Sequence, residues 1–168
     1  MIRHFCATGF VVHSNSVLLH WHRKVQAWLP PGGHIEANED PVQATVREVM
    51  EETGIRVSVV PTSVRLAIGN LDQVDTPFSV MIEDVIDQAH GPHQHIDFIY
   101  FTVPVGEPGA PPEGWVLVSE RDLRNGAPIA REGGSSVAPP EDVIKLGLEA
   151  ISTVRRFVAD FPLPAGAG

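Results

Sequence analysis

Three carboxylates mark the stretch of this chain best equipped for chemistry. Glu48, Glu51 and Glu52 stand at spacings i, i+3 and i+4, which on a helix places all three on one face. Like charges so placed cost a helix about 0.2–0.5 kcal/mol per pair, a repulsion that a bound cation would relieve. Magnesium and manganese prefer hard oxygen donors, so the triplet is a candidate site for either ion. Taken alone, it reads more readily as a solvated acidic face, with Arg47 paired to Glu51 one turn on.

A second row of polar residues lies in His93-Gln94-His95-Ile96-Asp97-Phe98-Ile99-Tyr100-Phe101. In an extended strand His93, His95 and Asp97 share one face, and Ile96, Phe98 and Tyr100 share the other, expected to be core. The polar row could contact substrate phosphate, hold a nucleobase or bind an additional metal. The alternative is structural hydrogen bonding near a sheet edge. Arg23 and Lys24 could reach a substrate phosphate or be plain surface charges. Trp28 could stack on a base or pack beneath the neighbouring loop.

The elements that must position these groups follow from local signals. Arg3–Val12 and Val17–His22 are rich in β-formers and separated by Ser14-Asn15-Ser16, which predicts a hairpin. Pro30-Pro31-Gly32-Gly33 predicts a loop. Asp40 then reads as a helix N-cap, with Pro41 in the first helical position and Gln43 completing a capping box. The helix should end near Thr53, with Gly54 just past its end. Its stripe of Val42, Val46 and Val49 can dock on a sheet. Strands are expected at Ile55–Val60, Val64–Ile68, Phe78–Ile86, His95–Val105 and Trp115–Ser119, with a hairpin turn at Ala89-His90-Gly91-Pro92. Apolar residues from Val143 to Val158 recur at helical spacing, which predicts a last helix over Glu141 to Asp160. Strands, one central helix, more strands and a terminal helix make an α+β domain.

Composition bounds the function. The chain has 168 residues, 12 basic and 21 acidic, for a formal charge of −9. That argues against a protein whose main work is gripping nucleic acid or an anionic membrane through a basic surface. No apolar run approaches the roughly 20 residues of a spanning helix, and the N-terminus lacks a signal-peptide pattern. A single cysteine, Cys6, allows no internal disulfide and fits a reducing compartment. A soluble cytoplasmic protein is expected, with residues 1–161 as one domain and 162–168 as a flexible tail.

Written out, the central segment is Gly33-(five residues)-Glu39-(seven residues)-Arg47-Glu48-Val49-Met50-Glu51-Glu52-Thr53-Gly54-Ile55. It resembles the Nudix box, the signature of the Nudix hydrolase superfamily, with every defining position filled. The preceding Trp28-Leu29-Pro30-Pro31-Gly32-Gly33-His34-Ile35-Glu36 resembles the family's usual approach to the box, with one extra proline. The resemblance implies the Nudix fold, an αβα sandwich with a mixed central β-sheet. It also implies hydrolysis of a nucleoside diphosphate linked to another moiety, by water attack on phosphorus assisted by Mg2+ or Mn2+. On the same ground Glu48, Glu51 and Glu52 would be metal ligands, and Glu52 or Glu48 would polarise the attacking water. The Gly33 carbonyl would complete the metal shell while its missing Cβ lets phosphates approach. Arg47 would orient the glutamates, and Glu39 would buttress the loop or bind metal more weakly.

Marks of several subgroups are absent. No proline follows the box within Gly69-Asn70-Leu71-Asp72, as it does in the ADP-ribose group. No tyrosine stands at Asp72-Gln73-Val74, as in diadenosine polyphosphate hydrolases. A nucleoside triphosphate or a nucleoside diphosphate derivative is the expected substrate, and the resemblance admits a homodimer. Glu107, Glu113 and Glu120 are candidates for the extra catalytic carboxylate some relatives carry. Two rivals are a nucleotide-sensing Nudix domain without catalysis and an isopentenyl diphosphate isomerase-like enzyme, which would need Cys6 near the site. In this context the −9 charge does not oppose a phosphate substrate, because several of the negative charges would be metal ligands.

Overall fold

The computed structural model of the chain describes residues 2–87, 91–131 and 133–160. The expected flexible tail at 162–168 and the first half of the turn at Ala89-His90-Gly91-Pro92 lie outside the described residues. In chain order the elements are β1 (Arg3–His13), β2 (Ser16–His22), β3 (Ala27–Leu29), β4 (Gly32–His34), α1 (Pro41–Thr53), β5 (Val57–Val59) and β6 (Ser79–Asp87). They continue as β7 (Gly91–Pro104), β8 (Trp115–Ser119), α2 (Glu120–Arg124) and α3 (Glu141–Asp160).

The sheet is mixed. Its centre is a long parallel pairing of β1 with β7, running from Arg3↔Gln94 to Val11↔Thr102. The other edge of β7 carries β6 and β5, both antiparallel. β1 also pairs with β4 over Cys6–Thr8 and with β2 at Val12 and His13. β2 in turn pairs with β3 and β8.

Strand alternation sorts apolar side chains onto two faces. Phe10, Val12, Val17, Leu19, Phe101 and Val103 join one buried cluster with Val143, Ala150, Ile151 and Val154 of α3. Val11, Leu18 and Val57 join the other, with Val49 of α1. One helix therefore covers each face, the αβα arrangement of the Nudix fold.

Helix α1 is fixed by local chemistry. The Asp40 carboxylate accepts from the backbone N–H groups of Val42 and Gln43, and the Gln43 side chain accepts from the Asp40 N–H at 2.9 Å. Gly54 closes the helix at φ 70, donating its N–H to the Met50 carbonyl, a left-handed conformation that suits glycine. Gly9 lets α1 lie close on β1: a Cβ there would come within 2.9 Å of methyl groups of Thr45 and Val49.

Four sequence expectations are corrected. Gly32 and Gly33 are not loop but, with His34, form β4, because the edge of β1 offers them a ladder. Val64–Ile68 is no strand. Val64 is 80 % exposed, and side chains tie the segment down instead: Arg65 to Asp75 at 2.6–2.9 Å and Gln73 to the Leu66 N–H at 2.8 Å. The helix α2 was not anticipated; Ser119 caps it by accepting from the Asp122 N–H. Finally, the burial of β7 is reversed at its start. His93 and Asp97 are buried, while Ile96 and Phe98 are only half-buried, because the odd-numbered positions face the α3 core along with Ile99 and Phe101.

Candidate active site

The helix α1 presents the glutamates toward β4, and an arginine organises them. Arg47 forks onto Glu39, with Nε–Oε1 at 2.6 Å and Nη2–Oε2 at 2.9 Å. Its Nη1 donates to Glu48 at 2.8 Å and to Glu51 at 3.2 Å, and Nη2 also donates to the His34 carbonyl at 3.0 Å. One guanidinium thus pins three carboxylates and the backbone of β4 together. The planar five-donor fork is what makes this possible. The Arg47 pKa is raised by these bonds, to Glu39 first. Conversely, the Arg47 bonds hold the Glu39 carboxyl below its ordinary value.

Glu39 spends both oxygens on protein. Besides Arg47, its Oε2 accepts from the Glu36 N–H at 3.1 Å. That closes the loop between β4 and α1.

Gly33 and Glu48 fit together as a cradle. A Cβ on Gly33 would sit 2.4 Å from Glu48 Oε1, so no other residue leaves the carboxylate where it is. Gly32 donates its N–H to Glu52 Oε2 at 3.3 Å. Glu52 is exposed as a whole, yet its carboxyl group lies over β4 and is pushed up to about 7. Partial desolvation is the main cause, the Gly32 N–H opposes it, and the charges of Glu48 and Glu51 add to it. The cluster leaves one carboxyl, Glu52, without a bond from Arg47, and that carboxyl is the one held above its ordinary value. With oxygen donors only, the cluster fits a hard divalent cation.

The other sequence candidates lie elsewhere. Arg23 and Lys24 are exposed in the turn between β2 and β3; among the described residues no hydrogen bond joins them to the glutamates. Trp28 is 2 % exposed and packs edge-on against Trp21, with ring centres 5.7 Å apart, so its ring is a core element with no face open for stacking. Glu107 and Glu113 are exposed in the loop before β8. Glu120 is held by Arg124 at 2.7 Å and by Arg155. Cys6 is buried on β1 with its side chain on the face opposite the glutamates, as strand alternation from Ala7↔Gly33 requires. Burial first, then nearby carboxylates, push its thiol up to about 12.

The His93, His95, Asp97 row splits. His93 Nε2 and His95 Nε2 lie 3.1 Å apart. Asp97 accepts from the Thr8 hydroxyl at 2.7 Å. Sequence reasoning missed His4 and His34, which join the two histidines. His34 stood inside the quoted Gly-Gly-His run, but only the parallel register of β1 on β7 could reveal His4.

Comparison with known proteins agrees with this geometry. The NUDIX domain family model matches residues 3–133. The crystal structure of a NUDIX-family hydrolase from Clostridium perfringens superposes with a TM-score of 0.69 at 28% identity, covering 92% of this chain and 99% of that one. The C. elegans Ap4A hydrolase shares the fold at a TM-score of 0.52 and 17% identity, covering 95% of this chain and 98% of that one. Among curated proteins, the m7GpppN-mRNA hydrolase NUDT17 of Xenopus laevis is 50% identical over 36 residues, which is 21% of this chain and 12% of that protein. The match therefore spans only a small part of that relative. Matched over most of its length by the family model, and carrying the full box on a capped helix against β4, this chain belongs to the Nudix family.

Proposed function

We propose that the protein is a metal-dependent pyrophosphohydrolase. It cleaves a phosphoanhydride in a nucleoside triphosphate, or in a nucleoside diphosphate linked to another moiety, by water attack on phosphorus. The observation that carries this reading is the carboxylate cluster held by Arg47 over a glycine strand with no room for a Cβ.

Glu48, Glu51 and Glu52, with the Gly33 carbonyl, would hold Mg2+ or Mn2+. When bound, such an ion supplies charge neutralisation on the phosphate oxygens and activation of water. The protein's own groups do the rest. Arg47 keeps Glu48 and Glu51 oriented and takes the strain of their proximity. Gly33, expected to leave room for a phosphate, instead leaves room for the Glu48 carboxylate, which lies where a Cβ would sit. Glu48 Oε1 accepts from the Arg47 cation, whereas Glu52 Oε2 accepts from a neutral backbone N–H, that of Gly32, and its carboxyl is held above its ordinary value. Glu52 Oε1 is therefore the atom suited to take a proton from the attacking water.

The rivals find less support. An isomerase would need Cys6 at the glutamates, and Cys6 lies on the other face of the sheet. A non-catalytic sensor would not need every carboxylate kept in place. The negative charge argues for a small-molecule partner rather than nucleic acid; the lone cysteine fits a cytoplasmic location, and the family resemblance admits a homodimer.

The deciding experiment is a panel of nucleoside triphosphates, nucleotide sugars, dinucleoside polyphosphates and a capped dinucleotide, the last prompted by the name of the NUDT17 relatives. With Mg2+ or Mn2+, release of phosphate, pyrophosphate or monophosphate is expected, with oxygen from labelled water appearing on phosphorus. Binding across the panel without turnover would make the protein a sensor.

A further inference from the structure

The parallel pairing of β1 and β7 assembles a second cluster on the face of the sheet turned away from the glutamates. His4 is the register partner of His95, and Cys6 that of Asp97. His93 lies two residues before His95 and shares its face. On the opposite edge of β1, His34 of β4 is the partner of Cys6. Four imidazoles thus converge from three strands. Ring centres lie 4.9 Å apart for His4 and His93, 5.0 Å for His93 and His95, and 5.0 Å for His34 and His95.

We propose that His4, His93 and His95 form a binding site for a borderline first-row transition ion, zinc by chemical class, separate from the carboxylate site. Ligand atoms of these three residues all lie within 4.8 Å of one another. A second triplet, Cys6, His34 and His95, meets the same distance and supplies candidates for a fourth position. The His93–His95 Nε2···Nε2 separation is 3.1 Å. Two nitrogens on a tetrahedral zinc at about 2.0–2.1 Å span an edge of about 3.3 Å, so the pair is already close to ligand spacing.

The second shell points the same way. His93 Nδ1 lies 2.9 Å from the Gly91 carbonyl, and only an N–H can bond there. That bond places the lone pair on Nε2, the atom aimed at His95. A ligating imidazole whose other nitrogen donates to a backbone carbonyl is the usual arrangement at protein metal sites. Nearby, Asp97 Oδ1 is buried and has no hydrogen-bond partner among the described residues. Imidazole donors favour zinc, copper or nickel over magnesium, which sets this site apart from the glutamates in chemistry as well as in position.

The test uses the full chain stripped with a chelator and then titrated with Zn2+ alone, and separately with Co2+ alone as a spectroscopic stand-in. One tight equivalent of Zn2+ is expected in the wild type and in the Glu48→Gln/Glu52→Gln double variant. His4→Gln, at a half-buried position, should weaken it more than about 100-fold, and Co2+ should give visible bands that this variant loses. X-ray absorption on the zinc-loaded wild type should show imidazole scattering, a readout independent of whether any variant folds. Absence of a tight equivalent, its loss in the glutamate variant but not in His4→Gln, or an oxygen-only shell would overturn the proposal.

Discussion

On the α1 side of the sheet, Val11, Leu18, Val49 and Val57 are the four buried members of the apolar cluster; on the α3 side the corresponding cluster has fifteen among the described residues. The α1 side instead spends its surface on carboxylates that repel one another and on the arginine that restrains them. The contrast assigns different tasks to the two faces. The α3 side supplies burial and so stability. The α1 side gives up packing to hold a charged cluster that is worth little to the fold.

The sharpest way to break that division is at Glu52. Glu52→Gln is expected to lower kcat about 1,000-fold or more, equivalent to about 4 kcal/mol of barrier, with the thermal midpoint unchanged. A variant retaining wild-type turnover on a cleaved substrate would remove Glu52 from the chemistry. On the other face the expected pattern inverts. Ile151, 1 % exposed on α3, should cost about 2–5 kcal/mol of stability on truncation to Ala, with kcat per folded molecule near wild type. Chemical denaturation combined with active-site titration separates the two quantities.

Arg47→Lys comes next. Lysine keeps the charge but cannot fork onto Glu39 while reaching Glu48 and His34, so kcat should fall about 10- to 100-fold, or about 1.4–2.7 kcal/mol. If kcat is untouched, the restraint on the glutamates is not needed for turnover. The smallest effect concerns Glu120, on the α3 side. Its carboxyl is held below its ordinary value by bonds from Arg124 first and then Arg155. Such a group stabilises the fold above the ordinary carboxylate range of about 4.3 and loses that contribution as pH falls through the lowered value. Thermal midpoints of wild type and Glu120→Gln should therefore converge on acidification, and more weakly at high salt. A gap that widens in acid would contradict the assignment.

The sequence made α1 legible residue by residue, because caps, box spacing and the closing glycine act within a few positions of one another. The glutamate site came with it, down to its i, i+3, i+4 spacing on one helical face. What Arg47 actually does was harder to see: its main partner is Glu39, eight positions away and brought near by the loop, rather than Glu51. Val64–Ile68 reads as a strand from its β-branched and apolar residues, yet among the described residues no neighbouring strand offers it a ladder. In β7 the alternation was read correctly, but which face is buried depends on where α3 lies, and no local signal carries that. The histidine cluster was the least legible, since His4 and His95 meet only through a pairing that spans most of the domain.

Strand β4 is three residues long, and its middle and last positions serve opposite faces: Gly33 beneath Glu48, His34 beside His4. Alternation has a period of two, so loss or gain of a single residue here would exchange them. An imidazole would then point into the space that only glycine fits. Length variation should be tolerated in the exposed stretch between β5 and β6 and not in Gly32–His34, a difference that insertion scanning with an activity readout would expose. The tripeptide acts as a ruler for both sides of the sheet, and the chain can drift in length almost anywhere before it can drift there.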